Sequence, residues 1–588
     1  MRRHLPLKLR ESHSDAEGDV EGSRHTIRIL LAAVLALAVG LQVAAVFTTN
    51  VHWDEFALLH LADLTAHSGR LEAGGRAGLA VAMLIPLVEG CESEIEVIRR
   101  ARLLWVGLTF LWLAGLTLWL AHLAPRSRTR WRDAGFGVAL LALTPAWLDS
   151  SLQVRTDHIA LAGTAWGGAL LLLSLQRPGL ALAAGACFGL GFLGSQKALY
   201  GIALAGFLTA GVTLREDRLR PARETLRCVG LALGFVAAVG LFRLWAGANF
   251  DVAETSQVHR PLDAQFVAQG LSLFDFYRNT IGWSQYRSML TDLVPHTLLA
   301  VALIAATLHA LRTRNTNRGA LFLACGALTL GIGVALFHAA AFRYFWLTLG
   351  VFLAAAFALG LEPILARLPA QARGTAIVGF AALLGIPAAL HGAARLSDGQ
   401  AVQRESLAFV HRNFSAETAG FHPESGLFCQ EGAQPLPTFF SQHIYKRFAG
   451  PHRAHHTHRL LQTFRETPVA FLVQSFRLNQ FPPDVRQFWH ENYQPYQASV
   501  FVAGRRFSGT RGESANFELL VPGRYRWLPS GGATTLAIEE RVLAPGESVT
   551  LQSGPHTARF VETVPDGLLV LALNDPPGEA PVAFYRQP

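Results

Sequence analysis

Residues 103–123, LLWVGLTFLWLAGLTLWLAHL, form an uninterrupted apolar stretch without a charged side chain. About 20 such residues cross the hydrocarbon core of a bilayer as a helix, so this stretch predicts a membrane-spanning helix. Comparable or slightly shorter apolar runs lie on both sides of it, at Ile29–Phe47, Ala134–Leu148, Ile159–Leu175, Leu180–Leu193, Ala198–Leu214, Val229–Trp245, Leu293–Leu311, Ala320–Phe337, Phe345–Leu361 and Ala376–Leu390. The sequence therefore predicts a polytopic α-helical membrane protein with about eleven spans, in which the shorter runs, among them 134–148 and 180–193, need their flanks or are partly shielded by neighbouring helices.

The composition agrees with a membrane protein. Of the 588 residues, 51% are hydrophobic and 16% are charged, whereas about a quarter of the residues in a soluble domain are charged. The formal net charge is +9, and its cations are almost all arginine, the lysines being Lys8, Lys197 and Lys446. Cations at the cytoplasmic ends of helices account for this excess. Since no arginine–aromatic recognition cluster is present, a nucleic-acid partner is not expected.

The distribution of Lys and Arg predicts the orientation. With the N-terminus inside, most loop cations fall on the inner side, including the clusters at 126–132 and 215–227. This asymmetry is typical of cytoplasmic loops. A polar stretch at 11–24 precedes the first apolar run, and no small-residue cleavage site follows, which favours a retained first span over a signal peptide. We expect an integral protein of the bacterial inner membrane, with a cytoplasmic N-terminus and a periplasmic C-terminal region.

The chain is expected to divide into four parts. Residues 1–28 form a cytoplasmic segment, and residues 29–390 form the membrane core, with long outer loops at 48–102 and 246–292. The tail divides again. Residues 391–500 mix a buried strand at Pro468–Ser475 with an amphipathic helix at Asp484–Asn492. Residues 501–588 contain short alternating runs separated by Gly and Pro, which predict a small β-sandwich.

The motif His52-Trp53-Asp54-Glu55 follows the first span directly. Two adjacent carboxylates at a membrane surface lose hydration unless they are used or neutralised. One of them could remove a proton from an acceptor hydroxyl. Alternatively, Asp54 or Glu55 caps the amphipathic helix that the spacing of the following leucines predicts. The spacing alone leaves both interpretations open.

Two further motifs lie at predicted outer helix ends. Arg155-Thr156-Asp157-His158 precedes the fourth span; Arg155 suits a phosphate group, whereas Thr156 or Asp157 could instead cap the helix. Lys197, between the fifth and sixth spans, also suits a phosphate as a compact point charge, or it extends its ammonium into the headgroups. Arg343, between spans nine and ten, is another cation predicted at this membrane level, where it could also be a simple anchor.

An aromatic residue followed by Asp-Glu in the first outer loop, after a basic N-terminus and one span, resembles the GT-C glycosyltransferases. The arrangement is most similar to the protein O-mannosyltransferase and lipid A aminoarabinose transferase group, over roughly residues 25–395. The resemblance implies inverting sugar transfer from a polyprenyl-phosphate donor to an acceptor hydroxyl on the outer face. It implies Asp54 as catalytic base with Glu55 as its partner, Asp157 as a second acid, and Arg343 facing the donor phosphate with Arg155 and Lys197.

The expected partners are the lipid-linked donor, membrane lipids, and a glycolipid, glycan or protein acceptor. Alternatives are a ligase or polymerase of lipid-linked glycans, a transporter or flippase, and a non-enzymatic scaffold. The candidate charges fall at helix ends and no repeat is apparent, which disfavours a transporter. No cofactor is expected: neither a Walker loop nor a dinucleotide fingerprint occurs, and although Asp54 and Glu55 could bind a divalent metal, nothing completes a coordination set.

Cysteines and histidines give two smaller predictions. Cys91 and Cys429 both fall on the predicted outer side, where a disulfide persists; they either form one or remain small buried thiols. His452, His455, His456 and His458 are interpreted as part of a solvated loop rather than a metal site, because no Cys or carboxylate accompanies them at ligand spacing.

Overall fold

The structure is a computed structural model that describes most of the chain from residue 29 onward. The residues outside the described part are 1–28, 30–32, 34–35, 38, 72–77, 124–129, 216–220, 252–293, 314–317, 338–342, 398, 423–425, 431–447, 449–451, 531, 533, 579–582 and 586–588. The second predicted outer loop, 246–292, therefore lies almost entirely outside it.

The chain divides into two compact units. The first, here called the helical unit, comprises Met1–Phe47, Gly69–Met83 and Arg102–Ser397. The second, here called the mixed unit, comprises Thr48–Ser68, Leu84–Ala101 and Asp398–Pro588. The mixed unit thus combines the tail with two pieces of the first outer loop.

Helices account for most of the described chain up to residue 394. In chain order they are α1 (Val39–Thr48), α2 (Trp53–Ser68), α3 (Leu79–Val88), α4 (Glu94–Leu123), α5 (Arg130–Ala142), α6 (Pro145–Ser150), α7 (Asp157–Leu173), α8 (Leu180–Gly194), α9 (Ala198–Arg215), α10 (Pro221–Asn249), α11 (Val294–Arg312), α12 (Arg318–Phe337), α13 (Trp346–Leu365) and α14 (Ala370–Ala394). A short 3₁₀ turn, Arg343–Phe345, precedes α13.

The predicted fold class is confirmed, while the number of spans stays a prediction. Among the described residues, six helices are long and apolar enough to cross a membrane. These are Glu94–Leu123, Ala198–Arg215, Pro221–Asn249, Arg318–Ala335, Trp346–Leu365 and Ala372–Ala394. Shorter apolar helices lie in four of the five other predicted runs, the exception being 134–148. Helix α3 is an additional apolar helix inside the first outer loop that the hydropathy count did not include.

The predicted run at Ala134–Leu148 is not one helix. It divides into α5 and α6, because Pro145 cannot continue a helix hydrogen-bond ladder. Thr144 caps the second piece, its Oγ1 accepting a hydrogen bond from the Trp147 N–H at 3.1 Å. The run is therefore interrupted at residues 143–144, upstream of the motif at 155–158.

Close helix packing supports the helical unit. Gly163 of α7 faces α8 so closely that a Cβ atom there would collide with the Cys187 carbonyl. Gly234 of α10 meets the Leu182 carbonyl of α8 in the same way. Small residues of this kind let backbones approach where apolar burial alone gives little driving force, as in a bilayer. The three helices α7, α8 and α10 consequently form a tightly packed group that carries Asp157 at the start of α7.

The mixed unit contains helices and two sheets. Besides α2 and parts of α3 and α4, its described helices are α15 (Ala401–Asn413), α16 (Arg453–Glu466) and α17 (Pro483–Asn492). Its strands are β1 (Gly420–Phe421), β2 (Phe471–Val473), β3 (Tyr493–Gln497), β4 (Val500–Gly509), β5 (Ser514–Leu519), β6 (Gly523–Pro529), β7 (Leu536–Ile538), β8 (Arg541–Leu543), β9 (Ser548–Leu551), β10 (Gly554–Phe560) and β11 (Val564–Leu571).

The strand predicted at 468–475 and the helix predicted at 484–492 are observed as β2 and α17. One seven-stranded sheet has the order β1-β2-β4-β11-β6-β9, with β3 also pairing β4, and a four-stranded sheet has the order β5-β10-β7-β8. Strand β4 pairs with β2 and β3 from the first part of the tail and with β11 from the second. The boundary expected at residue 500 therefore falls at the start of a strand that serves both parts.

Apolar side chains from both sheets pack into one core. Phe507 and Trp527 of the larger sheet and Phe517, Leu536 and Phe560 of the smaller one belong to it. The alternation of buried and exposed residues in these strands gives each sheet one apolar face, which supports the predicted sandwich.

Candidate active site

Asp157 forms the centre of a charged cluster in the helical unit. It is the first residue of α7 and only 3% exposed. Its carboxylate accepts a hydrogen bond from Lys197 Nζ at 2.8 Å and lies 3.5 Å from Arg155 Nε. The side chain of the preceding Thr156 forms no cap hydrogen bond to the helix. The capping alternative for Thr156 is therefore not observed, and Lys197 pairs with a carboxylate rather than with headgroups alone.

Tyr344 completes this cluster. The Arg155 guanidinium carbon lies 3.5 Å from the centre of its ring, and Lys197 Nζ lies 4.5 Å from the same point. A cation over an aromatic face is attracted by the ring quadrupole. The sequence had singled out the neighbouring Arg343 as the functional cation of this turn. The Arg343 side chain lies outside the described part of the chain, whereas the Tyr344 ring contacts Arg155 and Lys197.

Two cations converge on the Asp157 carboxylate. They are Arg155 and Lys197, and Arg155 is only 7% exposed. Arg155 also forms hydrogen bonds to two uncharged residues. Its side-chain Nη1 donates to Gln153 Oε1 at 3.3 Å, and its backbone carbonyl accepts from Trp105 Nε1 at 2.7 Å. Arginine and lysine side chains held in fixed positions are suited to binding an anion such as a phosphate.

The two acids of the first-loop motif have different environments in the mixed unit. Glu55 is fully buried, and its Oε2 accepts a hydrogen bond from the His52 N–H at 2.9 Å, three residues earlier. This is the carboxylate half of a capping box at the start of α2. The helix-cap interpretation left open by the sequence is therefore observed for Glu55.

Asp54 is the more accessible of the two acids. Its side chain is 13% exposed, and its Oδ2 lies 3.7 Å from His52 Nδ1. The Asp54 N–H donates to that same Nδ1 at 3.2 Å, so a neutral His52 carries its proton on Nε2. Trp53, between these residues, packs against the Phe476 ring with centroids 5.2 Å apart and lies beneath the Arg477 guanidinium. The carboxylate of Asp54 is thus accessible on a well-held backbone.

Two links join the end of the first outer loop to the tail. Cys91 and Cys429 form a disulfide, with Cα atoms 5.3 Å apart, which answers the question left by the sequence. Glu94, fully buried at the start of α4, accepts from His411 Nε2 at 2.7 Å and from the Cys429 N–H at 3.3 Å. This hydrogen bond to Glu94 raises the pKa of His411 above its usual value.

A neutral histidine supports α2 from the tail side. His422 is buried beside Phe56 and contacts the Phe584 ring, with centroids 4.8 Å apart. Burial, together with the nearby Arg477, lowers the pKa of His422 to about 3. The ring is therefore uncharged at neutral pH and packs as an apolar group.

The histidine tract differs from its prediction. His452 lies at the N-terminal cap of α16, and the other three lie in its first turns, so the tract is helical rather than a loop. Within the part of the chain that the structure describes, no three His, Cys, Asp or Glu side chains lie close enough together to bind a metal.

Comparison with known proteins gives the class of fold. No protein-family model and no curated protein sequence matches the chain. Among solved structures, it resembles ArnT from Cupriavidus metallidurans in the apo state, with a TM-score of 0.51, 14% identity, and coverage of 82% of this chain and 98% of that one. The ArnT structure bound to undecaprenyl phosphate gives a TM-score of 0.50 at 14% identity, covering 81% and 98% of the two chains.

The Archaeoglobus fulgidus oligosaccharyltransferase in complex with zinc and sulfate matches with a TM-score of 0.42 and 10% identity, over 93% of this chain and 98% of that one. The ArnT comparison shows that the chain has the GT-C fold, and it confirms the resemblance stated from the first-loop motif at the level of the fold.

Proposed function

We propose that the chain is a membrane glycosyltransferase that moves a sugar from a polyprenyl-phosphate donor to an acceptor hydroxyl on the extracytoplasmic face. The observation that carries this proposal is the buried cluster of Arg155, Lys197, Asp157 and Tyr344 in the helical unit of a GT-C fold. Such a cluster suits a lipid phosphate. The ArnT structure with bound undecaprenyl phosphate supports the choice of donor class, since that protein has the same fold.

The cluster suits the leaving group of this reaction. When the bond between the anomeric carbon and the phosphate oxygen breaks, the electron pair leaves with the phosphate. Arg155 and Lys197 would stabilise that charge, and preorganised cations are effective because they need no rearrangement during the reaction. Asp157 orients the two cations through its contacts with both. Arg343 is assigned to the same phosphate by the resemblance alone.

Asp54 is proposed as the general base. Its carboxylate would take the proton of the acceptor hydroxyl while the acceptor oxygen forms the bond to the anomeric carbon from the face opposite the phosphate, so the configuration inverts. Glu55, first expected as the partner of Asp54 in catalysis, is assigned here the task of fixing the start of α2 through the His52 N–H. The resemblance implies three alternative acceptors: a glycolipid, a glycan or a protein.

The replacement Asp54→Asn tests this proposal. We expect loss of transfer by about 100-fold or more, because an amide cannot accept the proton. The measurement is mass spectrometry of glycolipids and envelope proteins from cells with no copy, the wild-type chain or the variant. The matched control is Asp63→Asn in the same helix α2, which should keep the product.

Loss of one defined sugar in cells without the chain, restored by the wild type but not by Asp54→Asn, supports the proposal. A wild type that changes no glycan contradicts it, and so does an Asp54→Asn variant that restores the sugar fully. A product that carries a whole glycan chain would instead favour the ligase or polymerase reading.

A further inference from the structure

The five residues before α2, here called the lead-in segment (residues 48–52), are bound along their backbone by the start of helix α15. The Gly399 N–H donates to the Thr48 carbonyl at 2.7 Å. Gln400 Nε2 donates to the Thr49 carbonyl at 3.0 Å, and Asn50 Nδ2 donates to the Gly399 carbonyl at 3.1 Å. Both pieces belong to the mixed unit, although about 350 positions separate them in the chain.

Gln403 makes the most specific of these contacts. Its Oε1 accepts from the Val51 N–H at 2.8 Å, and its Nε2 donates to the Val51 carbonyl at 3.0 Å. The same Nε2 lies 3.4 Å from Asn50 Oδ1. Gln403 and Val51 are both fully buried. One planar amide therefore fixes the two peptide planes on either side of Val51, as a neighbouring strand would.

The order continues from Val51 to the proposed base. His52 N–H is bound by Glu55, and Asp54 N–H is bound by His52 Nδ1. The backbone N–H groups of Val51, His52 and Asp54 are thus hydrogen-bonded to Gln403, Glu55 and His52, respectively. A displacement of Val51 would consequently be passed to the first turn of α2, where Asp54 lies.

We propose that Gln403 is a positioning residue for catalysis, through which the C-terminal region sets the place of the Asp54 carboxylate. This inference rests on the proposed role of Asp54 as general base. It assigns the tail an indirect part in the reaction, through the position of Asp54, rather than the role of an appended domain. Misplacing a reacting group by about 1 Å can lower a rate about 100-fold, so a contact this close to Asp54 is expected to change turnover more than binding.

The test compares Gln403→Ala with Ser406→Ala in the full chain. Ser406 lies one turn further along α15, is equally buried, and uses its Oγ to accept from the Ser499 N–H at 3.1 Å, away from the lead-in segment. Both variants remove a buried hydrogen-bonding group from the same helix. A general loss of folding would lower the two alike, whereas loss of positioning would affect Gln403→Ala alone.

Three readouts are measured for each variant. The first is the rate at which membranes form the sugar-bearing product that the comparison of cells identifies. The second is the affinity for undecaprenyl phosphate, used as the donor-site probe. The third is amide hydrogen exchange of residues 49–55. We expect Gln403→Ala to lose about 10- to 100-fold in rate, to keep undecaprenyl phosphate affinity within twofold, and to exchange faster in the lead-in segment, with Ser406→Ala close to wild type.

The variant Gln403→Glu adds a rescue by the nearest isostere. A protonated glutamic acid can still donate to the Val51 carbonyl, whereas the ionised form repels it, and burial raises the pKa of such a carboxyl. Its rate relative to wild type should therefore rise as the pH falls from 8 to 6, while the ratio for Gln403→Ala stays constant.

The outcomes separate the two proposals. If Asp54→Asn retains transfer, the proposed function fails and the positioning role fails with it. If Asp54→Asn is inactive but Gln403→Ala and Ser406→Ala turn over equally, the positioning role alone is overturned. Faster exchange at 49–55 without a loss of rate in Gln403→Ala also overturns it.

Discussion

Glu55 and Asp157 are both buried acids in the first turn of a helix, yet their partners differ. Glu55 binds a backbone N–H of its own turn, which stabilises α2. Asp157 instead binds Lys197, 40 positions further along the chain, and also contacts Arg155. Removing one member of a buried ion pair leaves the other charge uncompensated. The residue that can be changed with least damage is therefore Lys197, which is partly exposed, rather than Asp157.

Lys197→Gln should weaken binding of undecaprenyl phosphate by about tenfold, because one of the cations assigned to the phosphate is lost. The measurement is lipid binding to purified protein in detergent. Arg132→Gln is the control, since Arg132 also pairs with two acids of the helical unit, Asp133 and Glu362, outside the cluster. Equal affinity of wild type and Lys197→Gln would contradict the assigned role.

The limits of sequence analysis are visible in these residues. Arg155, Asp157 and Lys197 could be selected because charges at apolar helix ends are costly and few. Tyr344 and Gln403 could not, because an aromatic or amide residue is common in such positions and the partners lie far away in the chain. Spacing alone could not separate Asp54 from Glu55 either, since both positions suit a capping acid.

Among the elements, α2 depends most on contacts that are distant in sequence. Its start is bound by α15, and its Phe56 packs against Phe428 and Phe584 of the tail. The apolar helices of most predicted spans, strand β2 and helix α17 were predicted because periodicity is local, but the sheet shared by both parts of the tail was not. Strand pairing joins β2 to β4 across α17, and composition carries no signal for that pairing.

The pair of replacements Cys91→Ser and Cys429→Ser should lower the thermal unfolding temperature of the mixed unit. The disulfide joins positions 338 residues apart, and losing a native disulfide typically costs about 2–5 kcal/mol. The measurement is a melting curve of the purified protein in the absence of reductant. Cys228→Ser, at an exposed thiol of α10, is the matched control and should not change the curve. An unchanged melting temperature in the double variant would contradict a stabilising bridge.

At the scale of the whole molecule, each of the two units consists of three segments that are not contiguous in the chain. The first outer loop contributes to both units, and the tail shares one unit with pieces of that loop. Hydropathy identified the apolar helices but gave no indication of this interleaving, because it treats each loop separately. The proposed chemistry on the outer face depends on the orientation that the loop charges predict.

Reporter fusions test that orientation. Alkaline phosphatase, which is active only outside the cytoplasm, should be active after residue 588 and inactive before residue 1, while green fluorescent protein should give the opposite pattern. The positive-inside distribution of Lys and Arg is the physical reason. A fusion between α9 and α10 should behave as cytoplasmic, and phosphatase activity there would contradict the predicted alternation.

The binding of the lead-in segment by α15 has a consequence for biosynthesis. A ribosome adds about 5–20 residues per second, so on the order of tens of seconds separate the emergence of Val51 from that of Gln403. During this interval Val51, Glu94 and Cys91 have none of the tail contacts described for them. The Asp54 segment can therefore reach its final arrangement only after translation has passed Cys429, and no nascent chain shorter than this acquires the ordered first loop.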